Sequence, residues 1–265
     1  MATTCPRVSD VDRLRATVQA TYERVAHDPT SDFRFHRGAD YACEYLGYDR
    51  HELTALPEES TARFAGVGNP LRIGTIGPGQ TVLDHACGSG MDLLLAAQRT
   101  GSWGRAIGVD MTAAMRECAA ASAAKAGLVK TVEVRAGLIE DLPVDDESVD
   151  IVISNGVLSL SPDKAAAFKE IYRVLRPGGR LFLADVVLQR ELTVAARSDP
   201  DLWAACVGGA LLEAELYELS AAAGLSDSCV MEHFDCFRNI SFADKVPDDL
   251  QLHGLNFFAR KPASS

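Results

Sequence analysis

From residue 71 onward the sequence alternates short apolar runs with stretches of helical periodicity, and this alternation limits the possible folds more than any other feature. Runs at 81–85, 105–110, 132–136, 149–154 and 180–186 read as strands, with helices between them at 92–99, 111–126 and 162–175. Strands separated by a helix pair in parallel, and a parallel sheet needs cover on both faces. The run Arg176, Pro177, Gly178, Gly179 reads as a helix stop followed by a turn. Past residue 186 come an inserted helical segment at about 188–215, a helix at 214–223 ended by Gly224, and apolar strands near 229–237 and 255–260. The last two are expected to form an antiparallel pair at one sheet edge. The expected architecture is α/β: a doubly wound, mostly parallel sheet of seven strands.

Upstream, a helical pattern at 11–26 leads into a less regular stretch to residue 70, rich in His, Arg, Tyr and Gly and closed by Gly68, Asn69 and Pro70. Residues 1–70 therefore read as an N-terminal helical cap on a main domain at 71–265. The stretch from Lys261 to Ser265 reads as a tail.

The formal charge is -11, so the mean field of the chain repels polyanions, and neither nucleic acid nor an anionic membrane is expected as a partner. No apolar run is long enough to span a bilayer, and MATTCPRVSD lacks the pattern of a secretory signal, so a soluble, cytoplasmic setting is expected. The seven cysteines, Cys5, Cys43, Cys87, Cys118, Cys206, Cys229 and Cys236, contain no CxxC pair and no metal-ligand spacing. They read as mostly free thiols in a reducing compartment with no metal bound, and only Cys229 and Cys236 are candidates for a bridge.

The stretch VLDHACGSGMD (82–92) places small residues where the first strand hands over to a helix. In an open sheet of this kind the ligand lies beyond the carboxyl ends of the strands, and this turn forms its floor. Gly88 and Gly90 let backbone approach a ligand, and the helix starting near Met91 offers unpaired N–H groups. Strand two ends in Asp110, close to the separation from Asp84 at which a carboxylate accepts ribose hydroxyls. Two anchors in register point to a nucleoside; the plainer alternative is that both carboxylates merely cap helices. The loop reads AxGSG, with Ala86 in the place of the first glycine of a dinucleotide cradle and no third glycine in phase, so it is not read as a pyrophosphate site. The segment AGLIEDL (136–142) follows strand three and is placed to line an adenine; ISNGV (153–157) follows strand four.

The order VLDHACGSG, GVDM, GLIEDLP, DIVISN and RVLRPGGRLF resembles the class I S-adenosylmethionine-dependent methyltransferases, whose sheet is Rossmann-like. The resemblance implies S-adenosylmethionine as cofactor. It also implies that Asp84, Cys87, Gly88 and Gly90 hold the methionine portion, that Asp110 and Met111 hold the ribose and the adenine edge, that Leu138, Ile139 and Glu140 hold the adenine, and that Asn155 lies on the sulfonium side. The motifs GVDMT, VISN, LSPDK, CVGGAL, LPEES and GVGNP are similar to the arsenite methyltransferase branch in particular. That branch holds trivalent arsenic on cysteine sulfurs, because arsenic(III) is a soft acceptor. Cys206 stands at one such position, Cys43 lies in the region of an N-terminal one, and the position that reads ISNC in the branch is Gly156 here.

Candidates for contact with a small-molecule acceptor are Tyr22, His36, Tyr41, His85, Trp203, Cys206 and Glu213, although Tyr22 and Trp203 also fit a core role and Cys206 that of an inert buried residue. In methyl transfer the cofactor carries the reactivity, and the protein aligns the nucleophile and excludes water. Asn155 is the candidate for orienting the acceptor, His85, His36 or Glu213 for removing a proton, and Cys206 for a thiophilic acceptor. Two other readings remain open: an enzyme that cyclises the cofactor or transfers its aminocarboxypropyl group instead of methylating, and a non-catalytic nucleoside-binding module.

Overall fold

The strands expected at the centre of the sheet form because they are apolar on both faces. In the computed structural model, which describes residues 8–240 and 250–264, β1 (Thr81–Asp84), β2 (Arg105–Asp110), β3 (Val132–Ala136), β4 (Val149–Asn155) and β5 (Leu175–Leu188) run parallel. Val82, Leu83, Ile151, Val152, Ile153, Leu181, Phe182 and Leu183 have no exposed surface, as a sheet covered twice requires. Two antiparallel strands, β7 (Ser226–Phe234) and β8 (Leu252–Arg260), complete the order β3-β2-β1-β4-β5-β8-β7. A two-residue strand, β6 (Leu211–Leu212), adds to the end of β5. The main path therefore has seven strands, with its antiparallel pair at one edge.

Helices α5 (Met91–Thr100) and α6 (Ala113–Lys125) connect the strands around β2, and α7 (Lys164–Val174) and α10 (Glu213–Ala222) cover the opposite face with Phe168, Ile171 and Leu216. Asp163 starts α7 by accepting the Ala166 N–H at 2.9 Å, an N-cap with its side chain engaged. Ahead of the sheet lie α1 (Val8–His27), α2 (Gly38–Leu46), α3 (Arg50–Thr54) and α4 (Glu58–Ala62). Between β5 and α10 lie α8 (Val194–Arg197) and α9 (Pro200–Ala204), and α1 packs against both α6 and α9.

Two expectations are corrected. The run Arg176 to Gly179 is a bulge inside β5: the pairing steps from Val149 opposite Leu175 to Ile151 opposite Arg180, and Gly178, at φ +80°, donates its N–H to the Lys261 carbonyl at 2.9 Å. Lys261 does not begin a tail. It is buried, and its ammonium donates to the carbonyls of Leu175 at 2.8 Å and Tyr172 at 3.0 Å and to Glu147 at 3.0 Å. Cys5 lies outside the described residues; the six described cysteines are all free, Cys229 and Cys236 included.

Candidate functional site

The sheet reverses its winding between β1 and β4, and the tips of β1, β2 and β4 bring Asp84, Asp110 and Asn155 to one end. A cavity opens there, with about 1030 Å³ of empty space counting its mouth. The β1–α5 turn forms its floor, Leu138 to Glu140 and Met111 line one side, residues 64–66 and Asn155 the other, and Arg15, Val18 and Tyr22 of α1 lie across it.

Asp110 holds the floor in shape. Its two carboxylate oxygens accept the N–H groups of Gly88 at 2.9 Å and Thr112 at 2.8 Å, which draws the β1–α5 loop toward the start of α6. Gly88 takes φ +51° and lines the cavity, and a side chain there would meet nothing within 4 Å, so its Cα leaves open space beside it. Gly90 serves packing instead. At φ +94° it lies outside the cavity lining, and a Cβ on it would stand 3.2 Å from Ala119 of α6. Gly90 lets α5 start against α6.

Asp84 is buried, and one of its carboxylate oxygens has no hydrogen-bond partner. Burial, followed by the charges of Asp92 and Asp110, holds its carboxyl well above the usual range. Asp84 belongs to the cavity lining, and a buried carboxylate lacking one partner suits a cationic ligand group such as an ammonium. Cys87 and Met91 complete this part of the lining.

Asn155 lines the cavity, yet its polar atoms are already engaged. Its Oδ1 accepts the N–H groups of Val67 at 2.8 Å and Gly68 at 3.2 Å, and its Nδ2 donates to Asp92 at 2.9 Å and to the Gly68 carbonyl at 3.0 Å. A side chain on Gly66 would overlap this amide. Asn155 thus positions the 66–68 segment and has no free polar atom to offer an acceptor.

His85 is fully buried outside the cavity lining, where its ring nitrogens meet Ser154 Oγ at 3.4 Å and the Ile139 carbonyl at 3.2 Å. Burial pulls its pKa down to about 4, so the neutral ring holds the Leu138–Glu140 segment from behind. Glu140, at the cavity edge, accepts the Ser161 hydroxyl at 2.6 Å and faces Arg15 at 3.6 Å.

Of the acceptor candidates, the cavity lining includes only Tyr22. Its hydroxyl lies 3.9 Å from Cys206 Sγ, and Cys206, buried just behind the lining, donates to the Gly156 carbonyl at 3.3 Å. Burial and the charge of Asp185 push the Cys206 thiol up to about 12, so it is protonated at neutral pH. Tyr41 is one layer further back and donates to the Gly66 carbonyl at 2.9 Å. His36 sits in the cap, bonded to the Arg238 carbonyl at 2.6 Å and packed against Tyr41. Trp203 is core, with Nε1 donating to the Arg197 carbonyl at 2.6 Å, and Glu213 pairs with His233 at the surface at 3.5 Å. The polar atoms of His36, Trp203 and Glu213 are thus engaged away from the cavity, by Arg238, Arg197 and His233 respectively. The sequence reading missed Asp92, whose signal was a single carboxylate inside the buried run MDLLLAA.

The fold and the cavity define an α/β domain built to hold a nucleoside with a cationic end. Residues 76–224 match the methyltransferase domain family. The chain is 42% identical over 221 residues to an arsenite methyltransferase of Halobacterium salinarum, covering 83% of this chain and 56% of that protein. It is 38% identical to an arsenite methyltransferase of Aquipseudomonas alcaligenes, covering 83% and 64%. The crystal structure of CrArsM, an arsenic(III) S-adenosylmethionine methyltransferase from Chlamydomonas reinhardtii, superposes with a TM-score of 0.69 at 34% identity, covering 80% of this chain and 72% of that one. The chain belongs to the class I S-adenosylmethionine-dependent methyltransferases, in the arsenite methyltransferase branch. It spans between half and two thirds of the length of these two curated relatives.

Proposed function

We propose that the chain uses S-adenosylmethionine to methylate a small thiophilic acceptor of the trivalent arsenic class. The observation that carries this reading is the buried Asp84 carboxylate of the cavity lining, one of whose oxygens has no partner, a group that suits the ammonium of an amino-acid end. Asp84, Cys87 and Gly88 would hold that end, Asp110 and Met111 the ribose, and Leu138, Ile139 and Glu140 the adenine. When bound, the cofactor supplies a methyl group activated by positive sulfur. The protein's part is to align and to exclude water, with α1 laid across the cavity and the 64–68 segment fixed by Asn155. We read residues 1–70 as the cap and about 188–215 as an insertion that brings Cys206 just behind the cavity wall.

The Cys206 thiol would take up a neutral hydroxo- or thiolato-arsenic(III) species by ligand exchange: a sulfur–arsenic bond forms, an arsenic–oxygen or arsenic–sulfur bond breaks, and the thiol proton leaves with the displaced group. Gly156 contributes no second sulfur, so Cys206 is the one thiol assigned here. The charge of -11 and the free described cysteines support a small-molecule substrate and a reducing, cytoplasmic setting, with no nucleic-acid partner. No described helix is long and apolar enough to cross a membrane.

The test is mass spectrometry of the purified chain, first with S-adenosylmethionine alone and then with arsenite and a small thiol. S-adenosylhomocysteine and a methylated arsenical should appear together, and Cys206→Ser should abolish both. Methylthioadenosine formed without any acceptor would instead establish the ring-closing chemistry.

A further inference from the structure

Asp92 is a charged group of this cavity that the proposed chemistry does not use. It stands in the first turn of α5 among buried Met91, Leu93, Leu94 and Leu95, is itself 6% exposed, and contributes to the cavity wall. Its two oxygens accept from the Tyr48 hydroxyl at 2.7 Å and the Asn155 amide at 2.9 Å. The nearest basic group acting on it, Arg99 of the same helix, instead pairs with Glu52 at 3.3 Å. Among the described residues no ion pair neutralises Asp92, and its charge raises the cost of ionising Asp84 on β1. Holding a carboxylate this deep costs several kcal/mol unless a cation answers it.

The strand order says which cation that is. Leu138 to Glu140 and Asp110 follow β3 and β2, whereas Asp84, Asp92 and Asn155 gather at β1 and β4. A nucleoside seated over β2 and β3 leaves its amino-acid and sulfur end over β1 and β4. Before transfer that end carries an ammonium, a sulfonium and a carboxylate, a net charge of about +1; after transfer the sulfur is neutral and the net charge is about zero. Asp84, with its spare oxygen, answers the ammonium, which substrate and product share.

Resting on the function proposed above, we propose that Asp92 is a positioning residue that answers the positive sulfur and makes the cavity prefer the charged cofactor to its neutral product. Tyr48 and Asn155 fix the carboxylate, so it cannot swing toward the ammonium. Loss of the sulfonium charge leaves two carboxylates facing one cation, and this favours release of the product.

Calorimetry with S-adenosylmethionine, S-adenosylhomocysteine and sinefungin, which carries an amine in place of the sulfonium, tests the assignment. The wild-type chain should bind both cationic nucleosides at least about tenfold more tightly than S-adenosylhomocysteine. Asp92→Asn should erase that preference and leave affinity for S-adenosylhomocysteine within about threefold, while Asp84→Asn should weaken all three together. Equal weakening of all three in Asp92→Asn, or a wild-type chain without the preference, overturns the proposal; the second result needs no variant. If the wild-type chain binds none of the three, the cofactor reading itself fails, a distinct outcome.

Discussion

Asn155 accepts the Val67 N–H at 2.8 Å, and through this bond the tip of β4 fixes the segment that closes one side of the cavity. The same amide donates to Asp92 and accepts from Gly68, so one side chain joins β4, α5 and the last residues of the cap. Asn155→Ala should leave the Val67 N–H and one Asp92 oxygen without partners, costing about 2–4 kcal/mol of stability from the usual range for unsatisfied buried groups. Urea unfolding measures the loss. Unchanged stability with methyl transfer abolished would move Asn155 from a positioning role to direct contact with the reacting groups.

Asp110 organises the cavity floor through Gly88 and Thr112 and also belongs to the lining assigned to the ribose. Asp110→Asn turns one acceptor into a donor against a backbone N–H. Affinity for S-adenosylhomocysteine should fall by about 10- to 100-fold, the worth of a hydrogen bond to a charged group. Calorimetry gives the value, and an unaltered Kd would remove the sugar from Asp110.

His85 is buried neutral, with its pKa pulled down to about 4 from an ordinary value near 6.5. The unfolded chain therefore binds a proton that the folded one refuses as pH falls through this window, and stability present above about 6.5 is lost toward 4. The span corresponds to roughly 3 kcal/mol at 1.36 kcal/mol per pH unit. In His85→Phe this titration is gone, so the variant should gain on the wild-type chain by about that amount between pH 7 and pH 4 in parallel denaturant titrations. The Leu138–Glu140 segment also loses its rear support, and an unchanged Kd for adenosine-containing ligands would show that this support is not needed for binding.

Much of this was legible in the sequence where the signal is local. The bounds of β2 and β3 could be read from apolar pattern alone, because Ile107 and Val109, and Val132 and Val134, recur at every second position. The carboxylates at the tips followed from strand ends, a local property. The Arg176–Gly179 bulge was not legible, since proline and glycine signal a turn in any context and only the distant Lys261 carbonyl makes this one part of a strand. Nor did spacing distinguish Gly88 from Gly90: both take positive φ, and only the approach of Ala119 shows that the second serves helix packing. His85 follows Asp84 by one residue at the end of a strand, where its direction is set by what fills the opposite face.

Gly156 and Cys206 meet where the acceptor is expected, the Cys206 thiol lying 3.3 Å from the Gly156 carbonyl. Gly156 takes φ +73°, and a Cβ there would stand 3.5 Å from the Val67 side chain, an ordinary contact. Space is thus present, and the cost of a side chain is conformational, about 1–2 kcal/mol for a left-handed residue. Gly156→Cys should fold with that loss and set a second sulfur next to the first. Two sulfurs chelate trivalent arsenic and share the entropic cost of capture, so affinity for arsenite should rise by about 100-fold or more through effective concentration. Fluorescence titration of both chains with arsenite, with phenylarsenous acid and with diphenylarsinous acid, which has one exchangeable ligand, reads the change. The gain should be confined to acceptors with two or more exchangeable ligands and should vanish in Gly156→Cys combined with Cys206→Ser. A gain that survives removal of Cys206 would place the new sulfur's partner elsewhere and withdraw Cys206 from the acceptor site.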